Sequence, residues 1–254
     1  MKGVILAGGK GTRLYPLTYP TNKHLLPVYD QPMIYYPIKT LVHAGITSIL
    51  IITGDIHCGQ FMQVLRNGKE FGIDHLEYAY QENGSKGIAD ALKYAEDFAD
   101  NGPVTVILGD NTTDTDISPE VASFRSGATI FLKKVIDPER FGNPRFDPND
   151  PQKILEIIEK PQKAVSPYAV TGLYIYDSQV SDIIRRLRPS GRGELEVTDI
   201  NNTYLKIGQL QWKELTGYWS DAGTFYSLFR SNRYWAKKKL GVKYTAVIKG
   251  KEIG

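Results

Sequence analysis

The segment Leu6-Ala7-Gly8-Gly9-Lys10-Gly11-Thr12-Arg13-Leu14 follows a short apolar run and carries glycine at positions 8, 9 and 11. Glycines let a backbone approach a ligand closely and turn successive N–H groups onto phosphate oxygens, and Arg13 adds a rigid positive fork. The combination suits a triphosphate. Two familiar phosphate motifs fail on spacing: a dinucleotide fingerprint needs a third glycine where Leu14 stands, and a P-loop needs Lys-Ser or Lys-Thr after its last glycine. The plainer alternative is a tight turn after an edge strand. Lys23, in Thr21-Asn22-Lys23-His24-Leu25-Leu26-Pro27, would act on the same phosphates as a mobile point charge, or else be a solvated lysine before an apolar stretch.

Gly109-Asp110-Asn111 closes an apolar run, the place where open parallel sheets present ligand-binding groups. Asp110 with a second aspartate, Asp221 in Trp219-Ser220-Asp221-Ala222-Gly223-Thr224, suits magnesium, which takes one or two carboxylates and completes its octahedron with water and phosphate. Separately, Asp110 also reads as a turn residue and Asp221 as a helix N-cap. Glu159-Lys160-Pro161 offers an acceptor for a sugar hydroxyl beside a cation for a phosphate, or a surface ion pair. Gly193-Glu194-Leu195-Glu196-Val197-Thr198-Asp199 brings three carboxylates into a helix start, where acidic residues also suit the helix dipole. The 4 histidines lack zinc spacing, and no Gly-x-Ser-x-Gly or Cys/His nucleophile is present.

Short β-branched runs alternating with segments of helical period must position these groups, which predicts repeated βα units and a mostly parallel sheet. Strands are expected at 4–7, 48–53, 76–80 and 104–108, with helices at 33–44, 60–67 and 87–98 between them. A more β-rich half follows, with strands at 129–135, 154–159 and 169–176 and helices at 180–187, 196–205 and 225–239. The proline-rich stretch Phe141 to Gln152 reads as a loop. The fold class is therefore α/β, Rossmann-like, with a mixed, mostly parallel sheet flanked by helices. A single domain spans 1–254: a doubly wound half (1–112), a more β-rich half (113–224), then a C-terminal helix and tail (225–254).

Composition narrows the setting. With 31 Lys and Arg against 28 Asp and Glu, no broad positive field favours nucleic acid or a membrane surface. Cys58 is the 1 cysteine, which excludes an intrachain disulfide and a thiolate zinc cage. The start MKGVILAGG lacks a secretory n-region, and no apolar run approaches the roughly 20 residues that span a bilayer. A cytoplasmic, reducing setting is expected.

The order of the motifs is more particular than any one of them. Residues 6–14, 21–37 (TNKHLLPVYDQPMIYYP), 108–111 (LGDN), 159–161, 170–174 (VTGLY), 193–201 (GELEVTDIN) and 219–224 together closely resemble the glucose-1-phosphate thymidylyltransferases, within the sugar nucleotidyltransferase (GT-A-like) family, nearly end to end. The resemblance implies transfer of a deoxythymidylyl group from dTTP to glucose 1-phosphate with Mg2+, giving dTDP-glucose for deoxysugars such as rhamnose and for polysaccharide. By matching positions, Leu6, Gly8, Gly9, Gly11, Thr12, Arg13 and Lys23 would bind the triphosphate, Asp110 and Asp221 the metal, and Gln81 with Gly87 the base. Asn111, Gly142, Glu159, Lys160, Thr171, Arg192 and Trp219 would hold the sugar phosphate, with Lys160 on its phosphate. Alternatives are the same chemistry with UTP or CTP, or a catalytically silent nucleotide-sugar sensor. The chain resembles the short form of the family, and a homodimer or homotetramer is implied. It departs from the usual pattern at Thr112, Thr113, Asn143 and Pro144, beside the expected sugar site, and by an extra residue in Asn83-Gly84-Ser85-Lys86-Gly87.

Overall fold

The computed structural model describes residues 1–54, 56–82 and 86–241. β1 (Lys2–Leu6) leads through the glycine loop to a tight hairpin, β2 (Pro27–Val28) with β3 (Gln31–Pro32), and then to α1 (Tyr35–His43). β4 (Ser48–Thr53), α2 (Cys58–Leu65), β5 (His75–Tyr80), the short helices α3 (Ile88–Leu92) and α4 (Glu96–Ala99), and β6 (Val104–Leu108) complete a run of βα units. Next come β7 (Asn111–Thr113), α5 (Ser118–Ser123), β8 (Ala128–Lys134), β9 (Gly142–Asp147), β10 (Asp150–Glu159) and β11 (Tyr168–Tyr176). They are followed by α6 (Gln179–Arg186), α7 (Val197–Lys206), β12 (Leu210–Glu214), β13 (Trp219–Asp221) and α8 (Phe225–Leu240).

A 7-stranded sheet runs in the order β12-β8-β11-β6-β1-β4-β5, so strands from both halves of the chain are neighbours in it. β1 pairs in parallel with β4 and β6, β4 with β5, and β8 with β12, whereas β11 runs antiparallel to both β6 and β8. The two-residue strand period divides the core. Val4, Leu6, Leu50, Ile52 and Val106 face one side, where α3, α6 and α7 add Leu92, Ile184 and Tyr204. Ile5, Ile49, Ile51 and Ile107 face the other, against Ile38 and Leu41 of α1 and Phe61 of α2. Strand order reverses at β1, with β4 and β5 to one side and β6 to the other. The loops after β1 and β6 therefore part at a topological switch point, where a crevice forms.

Two expectations need correction. Residues 141–152 are not a loop: β9 and β10 form a two-stranded antiparallel hairpin, with Pro144 opposite Ile157. A two-stranded ribbon has an open edge on each strand, where a missing N–H costs no ladder bond, and the irregular register between Asp150 and Glu156 absorbs the rest. The helix expected at 87–98 is broken into α3, a 3-10 turn at Lys93–Ala95 and α4. Strands β7 and β13, at 3 residues each, are too short to show a period in sequence. The extra residue near Gly84 falls at 83–85, and the tail at 242–254; both lie outside the described residues.

Candidate active site

The glycine loop is shaped by backbone angles that side-chain-bearing residues resist. Gly9 and Gly11 adopt φ of 99° and 63°, and Thr18 Oγ1 donates to the Gly11 carbonyl at 2.9 Å to tie the loop down. Thr12 and Arg13 are left exposed at its turn. Gly8 approaches Gln81, since a Cβ on it would lie 3.2 Å from Gln81 Oε1.

The second lip is built by β6 and by pairing far along the chain. The Gly109 N–H donates to the Leu6 carbonyl at 2.9 Å, continuing the β1–β6 pairing by one residue and delivering Asp110 beside the glycine loop. Lys23 Nζ lies 2.6 Å from Asp110 Oδ2, and Asn111 Nδ2 donates to Oδ1 at 3.0 Å. Burial would raise the Asp110 carboxyl, but the ammonium of Lys23 outweighs it and holds the group well below the usual carboxylate range. β7 pairs antiparallel with β13, setting Asn111 opposite Asp221, and the Ala222 N–H donates to the Asp110 carbonyl at 2.8 Å. The two aspartates thus become neighbours although they lie 111 positions apart in the sequence. Burial first, then the charge on Asp110, pushes Asp221 up to about 6, against the pull of Arg140 and Arg13. The expected N-cap role of Asp221 goes instead to Thr224, which forms a capping box with Ser227.

His24 supports this lip from below. It is buried, its Nδ1 lies 2.7 Å from Asn22 Oδ1, and a Cβ on Gly109 would reach within 2.7 Å of its ring. Burial, then the neighbouring Lys23, lowers its pKa from 6.5 to about 3. The folded state keeps His24 neutral while the unfolded chain protonates it below 6.5, so its contribution is complete above that pH and lost as pH falls towards 3. Asp221 acts in the opposite sense between about 6 and 3.8, because there the folded state holds the extra proton. Comparison with His24→Gln isolates the histidine. Relative to wild type, the variant should gain about 1.4 kcal/mol of unfolding free energy per pH unit as pH falls from 6.5 to 4. Urea titrations at four pH values measure it, and a pH-independent difference would show that His24 titrates normally.

The opposite side of the crevice comes from the β9–β10 hairpin, β11 and α7. Glu159 ends β10 and accepts from Thr198 Oγ1 at 2.5 Å, and Lys160 follows with φ of 42°, a strained angle for a side-chain-bearing residue. Trp219 Nε1 donates to Asn111 Oδ1 at 2.7 Å, and the same oxygen accepts the Gly172 N–H at 3.0 Å. Asn111 is thereby fixed by a strand on either side. Phe141 packs edge-on against Trp219, with ring centroids 5.4 Å apart.

These lips enclose a cavity of ≈ 360 Å³. Of the residues selected from sequence, Gly11, Thr12, Thr171 and Arg192 do not line it; the others do. Gly11 and Thr12 shape the loop behind it. Thr171 is fully buried and donates to the Phe131 carbonyl at 2.9 Å, because strand alternation turns it away while its neighbours Val170 and Gly172 face the cavity. Arg192 stands among Glu159, Glu194 and Glu196 at 3.7, 2.7 and 3.6 Å. The departures at Thr112, Thr113 and Asn143 also lie off the cavity wall. Thr113 bonds the Tyr218 carbonyl at 2.7 Å, and Asn143 organises the chain at 165–168.

Several lining groups were given no role of their own in the sequence reading: His24, Arg140, Phe141 and Thr198, with Glu196 named only as part of an acidic run. The acidic run 193–199 was the one signal for Glu196. Gln81 Nε2 donates to Asp90 Oδ2 at 2.8 Å, which orients the amide and leaves Oε1 towards Gly8. Gly87, with φ of 106°, lies so close to Leu195 that a Cβ would come within 2.3 Å of the Leu195 carbonyl oxygen. Leu195 in turn donates to the Lys86 carbonyl at 2.7 Å and accepts from Ala89 at 3.2 Å. The chain entering α3 and the chain entering α7 are stitched together there. Among the described residues no cluster of three or more His, Cys, Asp or Glu could hold a metal.

A switch-point crevice that joins a glycine-rich phosphate loop to paired aspartates defines a class of enzyme. The chain belongs to the nucleotidyl transferase family, whose model matches residues 2–238. Its relatives are specific. Glucose-1-phosphate thymidylyltransferase of Neisseria gonorrhoeae is 47% identical over 234 residues, covering 90% of this chain and 80% of that protein. That of Xanthomonas campestris pv. campestris is 45% identical over 239 residues, covering 92% and 80%. A Bacillus anthracis crystal structure described as a glucose-1-phosphate thymidylyltransferase, in complex with a sucrose, is 51% identical, superposes with a TM-score of 0.86, and covers 92% of this chain and 94% of that one. Among the described residues no helix is long and apolar enough to cross a membrane.

Proposed function

We propose that this chain transfers a deoxythymidylyl group from dTTP to glucose 1-phosphate, releasing pyrophosphate and dTDP-glucose. The observation that carries the reading is a single cavity that gathers Arg13 and Lys23, the Asp110–Asp221 pair, Gln81, and Glu159 with Lys160. The relatives' names supply thymidine and glucose. Gln81 supports the base: with its NH2 held by Asp90, the free Oε1 accepts from N3–H of thymine or uracil, whereas cytosine presents an acceptor at N3.

A sugar phosphate is already anionic at neutral pH, so no general base is needed. The task is to bring two polyanions together and to stabilise charge as one phosphate oxygen bonds to the α-phosphorus and the α–β bridging bond breaks. Arg13 and the glycine-loop N–H groups would hold the triphosphate, Lys160 would place the attacking phosphate, and Glu159 and Asn111 would fix the sugar. In-line geometry inverts configuration at phosphorus, and positioning supplies much of the rate.

Asp110 and Asp221 would hold Mg2+. What supports this is that the β7–β13 pairing brings the two carboxylates into one enclosed place, where burial, then the charge on Asp110, keeps Asp221 from ionising readily, and that hard oxygens suit an ion that keeps water and phosphate ligands. When bound, the ion neutralises phosphate charge. The same reading takes the protein to be a cytoplasmic homodimer or homotetramer, working as one domain and feeding deoxysugar and polysaccharide synthesis. It rests on the family resemblance.

The experiment is a matrix of dTTP, UTP, CTP and GTP against glucose 1-phosphate and other sugar 1-phosphates, following pyrophosphate. Turnover should be fastest with dTTP and glucose 1-phosphate. Faster turnover with CTP or GTP would overturn the thymidylyl assignment, and no turnover with any pair would favour a silent nucleotide-sugar sensor.

A further inference from the structure

Both aspartates assigned to the metal already carry a protein cation. Lys23 Nζ is 2.6 Å from Asp110 Oδ2, and Arg140 Nη2 is 2.8 Å from Asp221 Oδ2. The two pairs differ in kind. Lys23 and Asp110 are shut in, with side chains 13% and 10% exposed, whereas the Arg140 side chain is 30% exposed and has a second carboxylate, Asp137, 2.6 Å from Nη1. Arg140 ends the 3-10 turn Pro138–Arg140 and its guanidinium lies 5.1 Å from the centre of the Phe141 ring. A planar fork bridging an inner and an outer carboxylate can release the inner one while Asp137 and the ring still hold it.

A divalent ion approaching the pair meets two positive charges on the very oxygens it needs. At such distances charge repulsion is strong even with substantial screening. A triphosphate changes the balance, because its negative charges offer Arg140 and Lys23 other partners and offset their repulsion. We propose that Arg140 is a positioning residue that guards Asp221: it keeps the carboxylate closed to free divalent metal and yields it when the nucleoside triphosphate is bound. This rests on the magnesium reading above. Metal and nucleotide would then bind cooperatively, each weakly alone.

The test uses Mn2+ as the probe and its effect on water proton relaxation as the readout, on intact protein, first without nucleotide and then with dTTP. Arg140→Gln should tighten binding of Mn2+ alone by at least about tenfold, since one fixed positive charge leaves the site. Arg140→Lys, which keeps the charge, should stay near wild type. Asp137→Asn should act in the opposite sense: without its outer partner Arg140 stays on Asp221, and Mn2+ binding in the presence of dTTP should weaken about threefold or more. A bridge that only stabilises the fold would move melting temperature in both variants without these opposed metal affinities. Unchanged or weaker binding of Mn2+ alone to Arg140→Gln overturns the proposal, as does a gain that survives Asp221→Asn. If Asp110→Asn and Asp221→Asn leave dTTP-dependent Mn2+ binding intact, the magnesium reading fails. If they abolish it while Arg140→Gln gives no gain, the guarding role alone fails.

Discussion

Asp110→Asn is expected to lower turnover by at least about a thousandfold, on the order of 4 kcal/mol at the transition state, while leaving the protein folded. Asp110 stands at a strand end rather than in the apolar core, so the substitution removes a charge and little packing. Two effects on stability oppose each other. Lys23, bonded to Asp110 at 2.6 Å, loses its carboxylate partner, a cost of about 1–3 kcal/mol for a charge left in a mostly enclosed place. At the same time Asp221 loses the neighbouring negative charge that helps push it up to about 6, and should titrate closer to an ordinary carboxyl. The signature is therefore a collapse of kcat, a modest change in melting temperature and an acid-shifted Asp221. Turnover within tenfold of wild type would remove Asp110 from the metal site.

Arg13→Ala should reduce kcat/KM by about a hundred- to a thousandfold, on the order of 3–4 kcal/mol, as expected when a cation on a transferring phosphate is lost. Arg13 is exposed and outside the apolar core, so unfolding free energy should move by less than about 0.5 kcal/mol. Its position is nonetheless confined: a Cβ on Gly223 would come within 3.0 Å of Arg13 Nη2 and 3.2 Å of Asp110 Oδ2, so the guanidinium crosses the backbone that follows β13. Arg13→Lys should recover only part of the loss, because a point charge cannot hold two oxygens in a plane. Steady-state kinetics over both substrates, with a denaturant melt, separates the outcomes, and a loss of stability matching the loss of activity would make Arg13 structural.

Much of the site was legible in order of motifs because its parts sit at the ends of strands whose apolar runs are easy to see. Gly8, Gly9 and Arg13 follow β1, Asp110 follows β6, and Glu159 ends β10 with Lys160 next to it. Thr171 shows where that reasoning stops: it lies in a motif, yet strand alternation turns it from the cavity and its neighbours towards it. Arg140 went unread for a related reason. It sat in front of a stretch taken for a loop, whose prolines conceal a hairpin, so nothing suggested that it reached Asp221.

Residue order and composition were enough for the alternating α/β plan and for picking out the glycine loop and the candidate pair of aspartates, because local period, backbone freedom and charge are properties of short segments. Pairing across long separations was not. The β7–β13 ladder that sets Asp221 beside Asp110, the Gly87–Leu195 contact that joins the chain entering α3 to the chain entering α7, and the Arg140 bridge all involve strands too short or loops too irregular to carry a period. Those contacts depend on how the sheet twists and packs. They set whether a carboxylate is ionised, which cation it meets, and so what the site can bind.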